Sequence, residues 1–164
     1  MQTPDRKPSS LPVLPAPLKL PFKALPAFIH NKVLLTTLNR IFANELRDGE
    51  MDFLEGKIIK IEIEDAGIEY RFTLTEGSLT AADRIRSPDV ILQGTLYNYL
   101  LLASRQEDTD TLFFSRRLHM QGDTELGLYV KNFLDGMDMD SHKMSAYLES
   151  LLQKSLPVYE RLFG

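Results

Sequence analysis

The stretch from residue 108 to residue 136 constrains the fold most strongly, because local signals place three successive elements in it. A short helix comes first, for which Asp108 or Thr109 is a favourable N-cap. A strand of about four residues follows at Leu118 to Gln121. Asp123 then caps a second helix, whose continuous apolar stripe is formed by Leu126, Tyr129, Val130, Phe133, Leu134 and Met137. These signals agree with one another, which predicts an ordered domain that mixes helices and strands.

Two adjacent arginines follow the phenylalanines of the first helix in this stretch. Arg116 and Arg117 are predicted to lie in its last turn, where cations interact favourably with the negative end of the helix dipole. A second interpretation is that they recognise an acidic head group beside an apolar pocket, since arginine binds phosphate and carboxylate groups well. The sequence leaves both interpretations open.

Residues 59 to 75 show the two-residue period of a β-hairpin. Apolar residues alternate with polar ones on both sides of a turn at Asp65 to Gly67. Shorter strands are predicted near Leu79 to Ala82 and at Asp89 to Gln93. We expect one buried and one solvated face, with four acidic side chains on the solvated side: Glu62, Glu64, Asp65 and Glu69.

Three further helices are expected to cover the apolar face, because a half-apolar sheet is not stable alone. They run roughly from Asn31 to Arg47, from Thr95 to Arg105 and from Ser141 to Leu156. The helix after Thr95 has almost no polar face, so it is expected to be buried on several sides or to line an apolar cavity. The last is an amphipathic C-terminal helix limited by Pro157.

The first 28 residues form a separate zone that contains seven of the nine prolines. This density excludes a regular helix, and the lysines that interrupt the run exclude a membrane span. Residues 1–32 carry a net charge of +4 and residues 33–164 carry −8, which together give the net charge of −4 for the chain. We therefore predict an N-terminal arm, residues 1–28, ahead of a single domain, residues 29–164. The arm either packs its leucines on the domain or contacts an anionic membrane surface or a partner.

The sequence offers no recognisable catalytic or metal-binding pattern. It has no cysteine, and its three histidines lack paired-ligand spacing. It has no phosphate-binding glycine loop and no Gly-x-Ser-x-Gly motif. The acidic net charge argues against a nucleic-acid partner. We therefore expect no catalytic residues, no metal and no cofactor.

The apolar content is high for a chain without catalytic polarity. Of its 164 residues, 43% are hydrophobic, which is enough for one domain with a sizeable core. The same excess is also compatible with an enclosed apolar ligand, because binding pockets are lined mainly by hydrophobic and aromatic side chains. Composition and periodicity do not decide between these alternatives.

Several short runs resemble the sterol carrier protein type 2 domain. They are residues 88–90, residues 111–114 and residues 118–123, which end in Gly-Asp before a helix. Over roughly residues 30–136, the chain resembles that family in the order of its features. An acidic residue opens a strand, a helix follows, and a short strand then ends in Gly-Asp. Within it, the runs 48–56, 110–117 and 122–132 resemble ubiquinone-biosynthesis accessory factors of the UbiT type.

This resemblance implies an α/β (α+β) fold, with helices packed on a mainly antiparallel sheet and an apolar tunnel between them. It implies a non-catalytic accessory role in oxygen-independent bacterial ubiquinone biosynthesis. The ligand would be an isoprenoid quinone precursor or a phospholipid such as phosphatidic acid, and the partners would be ubiquinone-biosynthesis enzymes. The expected location is the cytoplasm, with peripheral contact at the inner membrane. The alternatives are a protein-interaction subunit that docks a biosynthetic complex, and a general phospholipid or fatty-acid carrier.

The family offers no catalytic motif to transfer, so the candidate lipid-binding residues come from the predicted apolar faces. They are Phe42, Phe72, Leu74, Leu92, Tyr97, Leu100, Leu101, Phe113, Phe114, Tyr129, Phe133, Met137, Tyr147 and Leu151. Arg116 and Arg117 are the head-group candidates.

Overall fold

The computed structural model describes residues 26–136 together with Pro157, Glu160 and Arg161. The predicted arm up to residue 25 and the predicted helix at 141–156 lie outside the described residues. Three of the lipid-binding candidates lie outside them as well: Met137, Tyr147 and Leu151.

Five helices, one 3-10 turn and five strands make up residues 26–136. The helices are α1 (Ala27–Ile41), α2 (Ala43–Arg47), α3 (Leu96–Ala103), α4 (Thr109–Phe114) and α5 (Thr124–Gly136), and the 3-10 turn is Asp52–Leu54. The strands are β1 (Ile59–Ile63), β2 (Ile68–Thr75), β3 (Ser78–Ala81), β4 (Val90–Gly94) and β5 (Leu118–Gly122).

The strands form one sheet in the order β3-β2-β1-β4-β5. β1 is central, and it pairs antiparallel with β2 and parallel with β4. The outer pairs, β2 with β3 and β4 with β5, are antiparallel. The predicted fold class, helices on a mainly antiparallel sheet, is therefore confirmed.

One face of the sheet is apolar, because strand residues alternate between the two faces. Two clusters of buried side chains lie on it, one at each end of the strands. The first cluster, at the end where Ile59 pairs with Phe72 and Val90, also contains Leu35, Leu54, Leu74, Leu79, Leu92, Leu126 and Val130. The second cluster lies at the other end and contains Ala66, Tyr97, Leu101, Leu112 and Leu118.

The opposite face carries charged side chains in register. The Lys60 ammonium contacts the Glu62 carboxylate and lies 3.2 Å from Glu69 Oε2. The hydrogen bond from Lys60 is the main reason that the pKa of Glu62 is lowered. This arrangement follows from the alternation, and the predicted division of the hairpin into apolar and polar sides is confirmed for Glu62 and Glu69.

The acidic residue of the turn, Asp65, was assigned wrongly to the solvated face. Its side chain is buried, and Oδ1 accepts a hydrogen bond of 2.8 Å from the backbone N–H of Leu96. That N–H belongs to the first turn of α3 and has no partner within the helix, which is why a buried carboxylate is favourable here. The β1–β2 turn is thereby joined to a helix 31 residues later in the chain.

Two predictions about helix ends were also wrong. The helix predicted from Asn31 to Arg47 begins earlier, at Ala27, and is interrupted at Phe42, where φ is −97° and ψ is 22°. The second error concerns Arg116 and Arg117, which lie beyond the end of α4 rather than in its last turn. Arg116 has a φ of 58°, and the N–H of Arg117 donates to the Leu112 carbonyl at 2.9 Å. This is a Schellman-type helix ending, with arginine in the left-handed position that glycine usually takes.

Candidate functional site

An aromatic row lies beside the first cluster, where α1, the 3-10 turn and α5 meet. Phe42 packs edge-on against Phe133, with 5.5 Å between ring centroids. Phe53 lies 6.0 Å from Phe133 and stacks on Tyr129 at 5.8 Å. Three of these four were sequence candidates. Phe53 was missed, although it stands within the run 48–56 that resembles the UbiT-type factors, because that run has no helical or strand period.

Phe113 joins the two apolar clusters. It is half-buried on α4 and packs against side chains of both. The structure places the remaining buried candidates on either side of it: Phe72, Leu74 and Leu92 in the first cluster, and Tyr97, Leu100 and Leu101 in or against the second. A continuous apolar layer therefore extends along the sheet between its two ends.

Phe114, a predicted lipid-binding residue at the end of α4, is not part of this layer. Phe114 is 86% exposed, one residue after Phe113, because a helix turns its side chains by about 100° per residue. Tyr129 is 52% exposed and reaches the layer through its contact with Phe53.

Arg117 lies in a polar cluster at the edge of the second apolar cluster. Its Nε donates to Asn98 Oδ1 at 3.1 Å, and its Nη1 donates to Glu107 Oε1 at 3.1 Å. The guanidinium carbon also lies 5.9 Å from the centre of the Tyr97 ring, within range of a cation–π interaction. Asn98 Nδ2 donates in return to the Arg117 carbonyl at 2.8 Å, so arginine and asparagine hold each other in place.

One nitrogen of this guanidinium has no acceptor among the described residues. Within the part of the chain that the structure describes, Nη2 of Arg117 is buried and makes no hydrogen bond. A buried donor without a partner is costly, and a charged one more so, so a ligand oxygen at this position would be stabilised. The arrangement provides a fixed cationic donor at the edge of an apolar layer.

Tyr97 links this cluster to the C-terminal part of the chain. Its hydroxyl donates a hydrogen bond to the carboxylate of Glu160. Burial, and then the Glu160 carboxylate, raise the pKa of Tyr97 to about 12, while the Arg117 charge acts in the opposite direction. The hydroxyl therefore stays protonated at neutral pH and acts as a donor toward Glu160.

The neighbouring arginine has a different environment. Arg116 is exposed, and its left-handed backbone turns the chain between α4 and β5. The structure therefore does not bring the two predicted head-group residues together at one site, and Arg117 is the one beside the apolar layer.

A groove of about 360 Å³ lies between α1 and the edge strand β3, and sequence reasoning did not find it. It is lined by Asn31, Lys32, Leu35, Thr36, Asn39, Leu79 and Ala81. No sequence signal marks it, because it arises where a helix packs across the edge of a sheet 40 residues later.

Two further features concern the described residues alone. No helix among residues 26–136 is both long and apolar enough to cross a bilayer. Within the same range, no three histidine, aspartate or glutamate side chains are grouped so that they could hold a metal ion.

Known proteins resemble this chain in both sequence and fold. Residues 36–135, which contain Arg117, the second cluster and all of the first cluster except Leu35, match the model of the SCP-2 sterol transfer family. The chain is 37% identical over 126 residues to the ubiquinone biosynthesis accessory factor UbiT of Escherichia coli K12, covering 77% of this chain and 72% of that protein. UbiT of Escherichia coli O157:H7 matches with the same values. Among solved structures, the ubiquinone synthesis protein UbiJ-SCP2 superposes with a TM-score of 0.54 at 16% identity, covering 65% of this chain and 89% of that one. At that identity, the superposition supports the fold alone.

Proposed function

The chain belongs to the SCP-2 sterol transfer family and, within it, to the UbiT-type ubiquinone biosynthesis accessory factors. We propose that it binds a lipid as a non-catalytic accessory protein of oxygen-independent ubiquinone biosynthesis. In this role it shelters or presents its ligand, and enzymes of the pathway carry out the chemistry.

The observation that carries the proposal is the apolar layer with Arg117 at its edge. Phe113 connects two clusters that together extend along the sheet beneath the helices. Each methylene buried from water contributes about 0.8 kcal/mol, so an acyl or isoprenoid chain of several carbons would bind here without a polar contact along its length.

Arg117 supports a ligand with an oxygen at one end. Its Nη2 offers a buried donor on a side chain already oriented by Asn98 and Glu107. The phosphate of a phospholipid, including phosphatidic acid, and the ring oxygen of an isoprenoid quinone precursor are both acceptors for such a donor. A charged phosphate would gain more from it than a neutral oxygen, because charge-assisted hydrogen bonds are the stronger ones.

The remaining parts of the proposal follow from this ligand class. The protein works in the cytoplasm with peripheral contact at the inner membrane, where such lipids reside, and its partners are ubiquinone-biosynthesis enzymes. The apolar tunnel, the lipid contacts of Met137, Tyr147 and Leu151, and a membrane contact by the arm at residues 1–28 remain predictions.

The test is native mass spectrometry of the purified full chain, followed by solvent extraction and identification of the bound lipid. We expect a retained lipid of defined mass, and a quinone precursor would support the biosynthetic role directly. A phospholipid alone would support lipid binding and favour a carrier of phospholipids. An empty protein that also rejects added phosphatidic acid and added polyprenylated quinone would contradict the proposal and favour the protein-docking alternative.

A further inference from the structure

The loop between β3 and β4 holds the most exposed large apolar side chain among the described residues. Ile85 is 91% exposed. Its neighbours on both sides are the exposed cations Arg84 and Arg86. We refer to these three residues as the Arg84–Arg86 tip.

The backbone of the tip is fixed by hydrogen bonds. Nη1 of Arg71, on β2, donates to the carbonyl of Arg84 at 3.2 Å and to that of Arg86 at 3.1 Å. The N–H of Ile85 donates to Asp83 Oδ1 at 2.8 Å. These contacts hold the loop in a defined conformation that directs the isoleucine into solvent.

The side chains of Ile85 and Arg84 are not part of that framework. Only the backbone groups of these two residues bond to Arg71 and Asp83, whereas the Arg86 side chain donates weakly to the Gly56 carbonyl at 3.3 Å. Either residue can therefore be changed without removing a contact that supports the loop.

Single exposed apolar side chains are common and usually need no explanation. This one differs because it is held rigidly away from the apolar layer and lies between two cations. Proteins that bind an anionic bilayer surface place apolar side chains at the boundary between head groups and acyl chains, and basic residues beside the lipid phosphates. We propose that the Arg84–Arg86 tip docks the protein on an anionic membrane.

Charge in the rest of the domain makes the local contribution of the two arginines important. Outside residues 1–32 the chain carries a net charge of −8, so general attraction to an anionic surface is not expected there. The acidic neighbours of the tip keep their charge while accepting backbone N–H groups, Asp83 from Ile85 and Asp89 from Ile58 at 2.7 Å, so residues 83–86 carry a net charge of +1. The tip is thus a small cationic and apolar point on an acidic domain.

The tip and Arg117 lie at opposite ends of the sheet. The loop follows Ala81, which pairs with Phe72, and Val90 after it pairs with Gly122. Arg117 precedes Leu118, which pairs with Gly94 at the far end of β4. Changes in the tip should therefore leave the proposed head-group contact intact. The inference rests on the proposed function, because a lipid-binding protein must meet the membrane that supplies its ligand.

The experiment is flotation of the full chain with vesicles of phosphatidylcholine alone, or of phosphatidylcholine mixed with phosphatidylglycerol. We expect the wild type to bind the anionic vesicles preferentially and to dissociate at high salt. Arg84→Gln should weaken binding about fivefold, and Ile85→Gln at least about tenfold. Leu128→Gln, which exchanges another exposed apolar residue of the domain for the same polar one, should bind like the wild type.

Several outcomes would overturn the inference. They are absence of wild-type binding to anionic vesicles, equal binding of the two tip variants and the wild type, and equal loss in Leu128→Gln. If the tip variants kept vesicle binding but lost association with an acidic pathway protein, the tip would be a protein-docking site instead. Native mass spectrometry of the same variants separates this inference from the proposed function, because the tip variants should retain their bound lipid.

Discussion

Gly122 lies so close to Asp89 that a Cβ atom on the glycine would stand 2.1 Å from the aspartate's carbonyl oxygen. The same carbonyl accepts the N–H of Asp123 at 2.8 Å, and the Asp89 side chain accepts the N–H of Ile58 at 2.7 Å. The acidic residue that opens β4 and the Gly-Asp pair that ends β5 are therefore one junction, which joins both strands to the start of α5. This junction accounts physically for two motifs through which the sequence resembles its family.

Substitution of Gly122 by alanine should destabilise the protein by about 2–5 kcal/mol. The glycine has a φ of 113°, which is strained for any side chain, and the new methyl group would meet backbone atoms that cannot move separately. Chemical denaturation measures the change in the free energy of unfolding. Gly136→Ala is the control, because no atom of the described residues lies within 4 Å of its Cβ position, and it should change stability by less than about 0.5 kcal/mol. Similar effects of the two substitutions would contradict this account.

Asn39 completes the edge of the sheet at β3. Its Nδ2 donates to the Leu79 carbonyl, and its Oδ1 accepts the Leu79 N–H, both at 2.8 Å. Asn39→Leu leaves both backbone groups without their partner and should destabilise the protein by about 1–3 kcal/mol in thermal or chemical denaturation. Asn39→Asp, which keeps one acceptor, should have a smaller effect. Asn132→Leu, at an exposed position of α5, should have almost none, and an equal loss there would show that the edge contact is unimportant.

Replacing Arg117 by lysine should lower affinity for a lipid with a phosphate head group at least about tenfold. Lysine retains the charge beside Glu107 but lacks the planar group that presents Nη2 to a ligand while Nε and Nη1 are held by Asn98 and Glu107. Binding of phosphatidic acid is compared with binding of diacylglycerol, which has the same chains without the phosphate.

A purely structural effect of Arg117→Lys would weaken binding of both lipids equally, and that result would exclude the head-group role. Arg116→Lys is the matched control, because the neighbouring arginine is exposed and lies outside the apolar layer.

The protonated Tyr97 hydroxyl should stabilise the fold at all pH values below about 10. Its pKa is raised from 10 in the unfolded chain to about 12 in the folded one, so this stabilisation is lost as the pH rises from 10 to 12. The difference in stability between wild type and Tyr97→Phe should therefore be greatest below pH 10 and decrease through that window.

The contribution of Glu160 to this shift can be measured directly by ultraviolet titration of the tyrosinate. Glu160→Gln removes a carboxylate that raises the pKa of Tyr97, so ionisation should move to lower pH. An unchanged titration curve would show that Glu160 does not contact the hydroxyl in solution.

The sequence by itself determined the elements that depend on near neighbours. The alternation in the hairpin predicted β1 and β2, and the predicted N-caps were Asp108 or Thr109 for the first helix and Asp123 for the second. Asp108 is the first cap, accepting from the Thr111 N–H at 2.6 Å, and Asp123 is confirmed as the second, accepting from the Leu126 N–H at 3.0 Å. Each of these interactions spans three residues, so its partners are always within reach and the local sequence is sufficient to predict it.

Only the tertiary structure decided which distant groups meet. The parallel pairing of β1 with β4, the burial of Asp65 against the start of α3, and the meeting of Asp89 with Gly122 each join residues about 30 positions apart. The two adjacent arginines show the same limit, since the left-handed turn at Arg116 exposes that residue and directs Arg117 toward Asn98 and Glu107. Such contacts depend on how whole elements pack, because a side chain's surroundings are set by the strands and helices brought to it rather than by its neighbours in the chain.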